Sequence, residues 1–193
     1  LSLLNSNHDN VFFDFNSPNN ISKTMRHFIG GQQQLLPEFL AMITPNTNSF
    51  ARLTPGFWAP TQASFGIDNR TTALRAITGK PSAQRVEYRV PGADANPYLA
   101  IAAALGSGLW GIEHEIEPTD PIEGNAYEIQ LADTLQLPRS LNDAATRWRN
   151  SNAATTLFGD AFVNDLATLR EWEAREANRQ VTDWQLQRYF ELA

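Results

Sequence analysis

Between Ala83 and Val90 the chain alternates so regularly that its side chains sort onto two faces. Successive residues of an extended strand point to opposite sides, so Arg85, Glu87 and Arg89 share one face and Val86, Tyr88 and Val90 share the other. Two arginines and a carboxylate on one face are too costly to seal into a closed core unless counter-charges are sealed in with them. The apolar face therefore backs onto a core, and the charged face borders an open polar groove.

The neighbouring sequence extends that groove. Thr61 to Ile67 and Thr71 to Ile77 have strand character, with Asp68-Asn69 as the turn between them and Gly79-Lys80-Pro81 as the next, which predicts an antiparallel meander. From Arg52 to Arg89 six cations (Arg52, Arg70, Arg75, Lys80, Arg85, Arg89) face only Asp68 and Glu87, a net +4 inside a chain of net charge -6. Five of the six are arginine, whose planar fork suits carboxylate and phosphate oxygens. A ladder of surface charge pairs would account for Arg85, Glu87 and Arg89 alone; with Arg70 and Arg75 beside them, an anion site is the better account.

The rest of the composition narrows the chemistry. There is no cysteine, which removes disulfide frames, thiolate metal sites and cysteine nucleophiles. No apolar run approaches the ~20 residues that cross a bilayer, and Leu1 to Asn10 lack the layout of a signal peptide. The expectation is a soluble cytoplasmic protein that binds neither membrane nor nucleic acid, as its overall negative charge suggests.

Along the chain, residues 1 to 20 read as short strands and loop. Ser22 caps a helix through Met25, Phe28 and Ile29, with a break at Gly30-Gly31 and a restart at Pro37 that runs to Pro45. His27 on that helix has no second ligand at helical spacing and reads as structural. Asn46 to Pro60 holds too many breakers for regular structure; its Phe50, Phe57 and Trp58 either line a site or plug the core beneath the loop. Asn96 and Pro97 open a helix that is apolar almost all round and hence buried. An acidic connection from Glu113 to Gly124 follows, then a helix capped by Ser140, a long helix from Asn152 to Arg179 and a last one capped by Thr182 or Asp183.

Four linked motifs now carry a resemblance: Asn48-Ser49-Phe50-Ala51-Arg52-Leu53 with Pro55-Gly56; Asp68-Asn69-Arg70 with Arg75; Arg85-Val86-Glu87-Tyr88-Arg89; and Asn96-Pro97-Tyr98-Leu99. In order and spacing they resemble the C-terminal half of the glutamine synthetase catalytic domain, firmly from Leu1 to about Gly111 and more loosely beyond. Gly92-Ala93-Asp94-Ala95-Asn96 and Glu123-Gly124-Asn125 are most similar to the branch that joins glutamate to amines, the γ-glutamylputrescine and γ-glutamylpolyamine synthetases. The resemblance implies an α+β fold: part of a curved antiparallel sheet, backed by helices, with its charged concave face open.

It also implies roles. Arg52 and Arg89 would hold the glutamate carboxylates, Arg70 would face the transferring phosphoryl group, Arg75 and Arg85 would contact ATP phosphates, and Glu87 would ligate Mg2+ or Mn2+. Glutamate would be activated as γ-glutamyl phosphate, and an amine or ammonia would displace phosphate. Where glutamine synthetases carry a Glu that helps bind ammonium, this chain has Trp58, which favours a larger amine through packing or cation–π contact. The family's N-terminal β-grasp domain and its His-x-His metal motif have no counterpart in these 193 residues. The expectation is therefore the C-terminal portion of a longer catalytic domain, inactive alone. Its parent would assemble as a homo-oligomer of stacked rings with sites between subunits. The alternatives are an ammonia-using glutamine synthetase and a non-catalytic assembly protein.

Overall fold

The structure, a computed structural model, describes residues 1–192. One long helix organises it. Helix α1 (Lys23–Ile43) is capped by Ser22, whose Oγ accepts a hydrogen bond from the Met25 amide at 3.1 Å. It runs unbroken through Gly30-Gly31 and Pro37, where a break and restart were expected. Tertiary packing explains the difference. A Cβ on Gly31 would run into the Ser107 carbonyl and the Gly111 backbone, and one on Gly111 into the His27 carbonyl and Gly31. The glycines are a seam along which α1 lies against helix α3 (Pro97–Glu113), and burial of Leu35, Leu36, Phe39 and Leu40 holds α1 together across Pro37.

Helix α3 starts as expected, with Asn96 Oδ1 accepting from the Tyr98 and Leu99 amides at 2.9 and 3.4 Å. Only one of its faces is buried, however: Ala103, Ala104, Ser107, Gly108 and Gly111 pack inward, while Tyr98 is 83% exposed and Ile101 and Leu109 are also exposed. In chain order the next helix after α1 is α2 (Thr47–Arg52), six residues inside the stretch that promised no regular structure. Asn46 and Ser49 close a reciprocal cap around its first turn, which offsets the flanking prolines.

The sheet has three short strands, β1 (Phe65–Ile67), β2 (Leu74–Ile77) and β3 (Arg85–Tyr88), in that order. The α+β class holds, but the first pairing differs from the expected meander. β1 and β2 run parallel, Phe65 opposite Leu74 and Ile67 opposite Ala76; only β2 and β3 are antiparallel. Asp68-Asn69 does not close a hairpin, because Asn69 is committed elsewhere: its Nδ2 donates to the carbonyls of Ile122 and Gly124 at 3.0 and 2.8 Å. The chain loops back through residues 70–73 before β2 begins. Beyond β3, Leu1 and Val86 exchange two backbone hydrogen bonds, each 2.8 Å. The other pairings of residues 1–20 are isolated bridges rather than strands.

The remaining helices are α4 (Leu141–Arg149), α5 (Asn152–Phe158), α6 (Asp160–Asn178) and α7 (Asp183–Tyr189). The single long helix expected from Asn152 divides at Gly159, whose φ of 81° only glycine adopts without strain. Ser140, Ser151 and Thr182 cap α4, α5 and α7. Trp148 is fully buried among Phe39, Phe158 and Phe162, and its Nε1 donates to the Val163 carbonyl at 3.0 Å. No helix among the described residues is long and apolar enough to cross a membrane.

Candidate active site

The β2–β3 register sets Arg75 opposite Glu87 on the charged face that the alternation of β3 predicts. Arg75 Nη1 lies 3.1 Å from Glu87 Oε2 and its Nη2 3.1 Å from Asp68 Oδ1; Arg85 Nη2 lies 3.6 Å from Glu87 Oε1. One carboxylate thus separates two guanidinium groups. Arg75 is the best shielded of the set, its side chain 16% exposed, and its Nε is buried with no acceptor among the described residues. An orphaned guanidinium donor beside a cleft is an invitation to an anionic oxygen.

Arg89 serves a different purpose in this structure. Its Nε and Nη2 donate to the carbonyls of Thr72 at 3.2 Å and Arg70 at 2.6 Å, which clasps the loop that carries Arg70. Arg52, at the end of α2, donates from Nη2 to the Val90 carbonyl and packs beside Gly92. Each guanidinium has five N–H donors, so both retain capacity for a carboxylate. The Arg70 side chain is exposed and makes no ion pair among the described residues.

These elements border an open cleft of about 850 Å³. Of the residues singled out from sequence, Trp58, Arg70 and Arg75 line it directly. Glu87 connects to it through Arg75, Arg85 through Glu87, and Arg89 through the Arg70 backbone; Arg52 stands off, tied to Val90 at the end of the β3 segment. Trp58 is 67% exposed with φ +58°, a left-handed conformation that is costly for a bulky side chain. Phe57 is exposed as well, whereas Phe50 packs on the core, so the loop's aromatics divide between the two roles that composition left open.

Two parts of the wall make contacts that the sequence does not show. Asp68 and Asn69 were assigned to a turn, yet Asp68 is an ion-pair partner of Arg75, and Asn69 fastens the wall opposite. That wall, Pro121–Gly124, belongs to the acidic connection and brings Glu123 to the cleft. The Glu123-Gly124-Asn125 motif marks the residue in the sequence but not its place at the cleft, which depends on Asn69 some fifty residues earlier. Nearby, the hydroxyls of Tyr88 and Tyr127 are buried with no partner among the described residues; burial pushes both pKa values up, with Arg89 opposing the rise at Tyr127.

The residues present fit polyanionic phosphate better than they fit a metal. Glu87 offers a single carboxylate already shared by two arginines, and among the described residues no group of three His, Cys, Asp or Glu could hold an ion. The described residues alone do not make a metal centre.

The class defined is an α+β domain with an open cleft lined by Arg70 and Arg75. Over residues 1–189 the chain matches the model of the glutamine synthetase catalytic domain, and it belongs to that family. It is 43% identical over 185 residues to type-1 glutamine synthetase 2 of Dictyostelium discoideum, covering 95% of this chain and 35% of that protein. It is also 43% identical over 182 residues to the glutamate–isopropylamine ligase of a Pseudomonas species, covering 94% and 40%. Among solved structures, a GmaS/ADP complex superposes with a TM-score of 0.85 at 29% identity, covering 98% of this chain and 44% of that one. The chain therefore spans less than half the length of each of these proteins.

Proposed function

We propose that this chain is the C-terminal portion of a longer catalytic domain, and that the whole protein is an ATP-dependent ligase joining glutamate to an amine through γ-glutamyl phosphate. The observation that carries this reading is the cleft itself: Arg70, with no ion-pair partner among the described residues, and Arg75, whose buried Nε has no acceptor among them, line it together with Trp58. ATP would supply the phosphoryl group that converts the glutamate side chain into an acylating agent. Arg75 and Arg85 would hold its phosphates, and Arg70 would face the group in transfer, where guanidinium charge offsets the negative charge that builds on the oxygens. Arg89 and Arg52 would take the glutamate carboxylates with the donors left over from their backbone contacts. Glu87 would contribute one ligand to a divalent ion whose other ligands lie outside this chain.

Trp58 supports an organic amine over ammonia. An exposed indole offers packing surface and a cation–π face but no carboxylate to receive ammonium. The relative that acts on isopropylamine supports the same branch, and we extend the reading to polyamines on the resemblance at Gly92–Asn96 and Glu123–Asn125. The exposed Trp172, Trp184 and Phe190 support burial against further polypeptide in a homo-oligomer.

The test is a side-by-side assay of the longer protein with ammonia, putrescine and monoamines, following glutamate-dependent ADP release. Amines are expected to outperform ammonia. Preference for ammonia would make the protein an ordinary glutamine synthetase and defeat the role given to Trp58.

A further inference from the structure

Resting on the ligase reading of the cleft, we propose that Asn69 is a positioning residue for phosphoryl transfer: it locks the backbone that carries Arg70 to the Pro121–Gly124 wall, and so fixes where the Arg70 guanidinium is aimed. A primary amide has two N–H donors and an oxygen with two lone pairs, and the Asn69 side chain uses all four. Its Nδ2 donates to the carbonyls of Ile122 at 3.0 Å and Gly124 at 2.8 Å; its Oδ1 accepts from the Thr71 amide at 2.9 Å and the Thr71 hydroxyl at 2.6 Å. The donors thus serve one wall and the acceptor the other. Turning the amide over would set oxygen against two carbonyls, so the arrangement holds in one sense only.

The lock is wider than one side chain. Thr71 Oγ1 also accepts from the Ala126 amide at 2.9 Å, Thr72 Oγ1 donates to the Asn69 carbonyl at 2.9 Å, and Arg89 Nη2 holds the Arg70 carbonyl itself at 2.6 Å. The residues on both sides of Arg70 are tied down while its own side chain stays exposed. Gly66, inside β1, is an independent indication that these segments must meet closely. A Cβ there would stand 2.8 Å from Asn69 Cβ and 3.0 Å from both the Ile122 carbonyl oxygen and Thr72 Cγ2. The strand carries no side chain at that point, and the two walls close over it.

On the ligase reading, a glutamate γ-carboxylate oxygen attacks the terminal phosphorus of ATP, the bond to the bridging oxygen breaks, and ADP leaves with the electron pair. Arg70 acts on the charge of the group in transfer, an interaction made in the transition state more than in the resting complex. Arg75 and Arg85, which hold ATP, stand on β2 and β3, outside the junction. Releasing the wall therefore lowers kcat and leaves the KM for ATP nearly unchanged.

The experiment follows glutamate-dependent ADP release by the longer protein with the amine it uses best. Asn69→Asp keeps the oxygen that Thr71 needs but turns the donors into an oxygen facing two carbonyls. Its kcat should fall on the order of 10–100-fold, the effect of misplacing a catalytic group by about 1 Å, with the KM for ATP within about threefold of the parent's. Thr71→Val, similar in shape without the hydroxyl, should lower kcat in the same way, and Thr71→Ser should recover most of it. Gly31→Ala in the α1–α3 seam controls for lost stability alone and should keep the parent's kcat. The proposal is overturned if kcat of Asn69→Asp stays within about twofold of the parent's, if the loss lies in KM alone, or if Gly31→Ala loses as much. Should Asn69→Asp fail to fold, the Thr71 pair decides, and equal kcat in its two variants overturns the proposal. A parent with no glutamate-dependent ADP release defeats the ligase reading itself, before any variant is made.

Discussion

Replacing Gly31 with alanine sets two effects against each other, and the structure decides between them. By helix propensity alone the change is favourable, since glycine inside a helix is worse than alanine by about 0.5–1 kcal/mol. The added methyl would stand 2.5 Å from Gly111 Cα and closer still to the Ser107 carbonyl, where ordinary contact begins at 3.4 Å. Both obstacles are backbone, so neither can rotate away, and α1 and α3 must part by roughly 1 Å, the strain typical of overpacked cores at about 1–3 kcal/mol. The same seam seats Phe28 against Gly108 and Gly30 against Ile116, so parting it loosens contacts along its length. Mid-range values, about 2 kcal/mol of strain less about 0.75 kcal/mol of propensity gain, leave a net loss of about 1 kcal/mol, or a fall in Tm of about 2–4 °C for a domain of this size. Circular-dichroism melts of wild type and Gly31→Ala measure it. An unchanged or raised Tm would show that the helices have slack and refute the close-packed seam.

Three further outcomes follow from other contacts. On the proposed ligase reading, Arg89→Ala in the longer protein should reduce turnover with glutamate by orders of magnitude, because the variant would lose both a guanidinium–carboxylate pair and the clasp on the Arg70 loop; unchanged steady-state kinetics would remove Arg89 from the site. Tyr88→Phe deletes a buried hydroxyl that has no partner, so the urea midpoint should hold or rise, by up to about 1 kcal/mol in stability; a clear loss would reveal a partner for that oxygen. At Glu117, burial pushes the carboxyl up, but the hydrogen bond and charge of Arg26, with His27 adding, outweigh it and hold the pKa below its usual value. A lowered folded-state pKa gives stability that is complete above the unfolded carboxyl value of about 4.3 and is lost as pH falls through the folded value. Wild type should therefore exceed Glu117→Gln at neutral pH, and the two should converge in acid melts; a gap that persists there would refute the linkage.

Several local features were legible from sequence because their causes are local. Ser22, Asn96, Ser140 and Thr182 cap where they stand since a short polar side chain reaches amides two or three residues ahead. The charged face of β3 follows from strand geometry alone, and the Arg75–Glu87 pair is its tertiary expression. Gly30-Gly31 misled for the opposite reason: their meaning lies in the backbone of α3, some eighty residues away. The parallel start of the sheet was hidden likewise, since Asn69 spends its amide on residues 122 and 124 instead of on a hairpin.

The amino-acid order by itself determined the family, the helix starts and the concentration of guanidinium charge between residues 52 and 89, all of which depend on neighbours within a few positions or on motif order. Only the tertiary structure decided which of those arginines face a common cleft, which are occupied with backbone carbonyls, and that Glu123 joins them. Side-chain direction and spare hydrogen-bonding capacity are set by what packs alongside, and that is fixed only when distant segments meet.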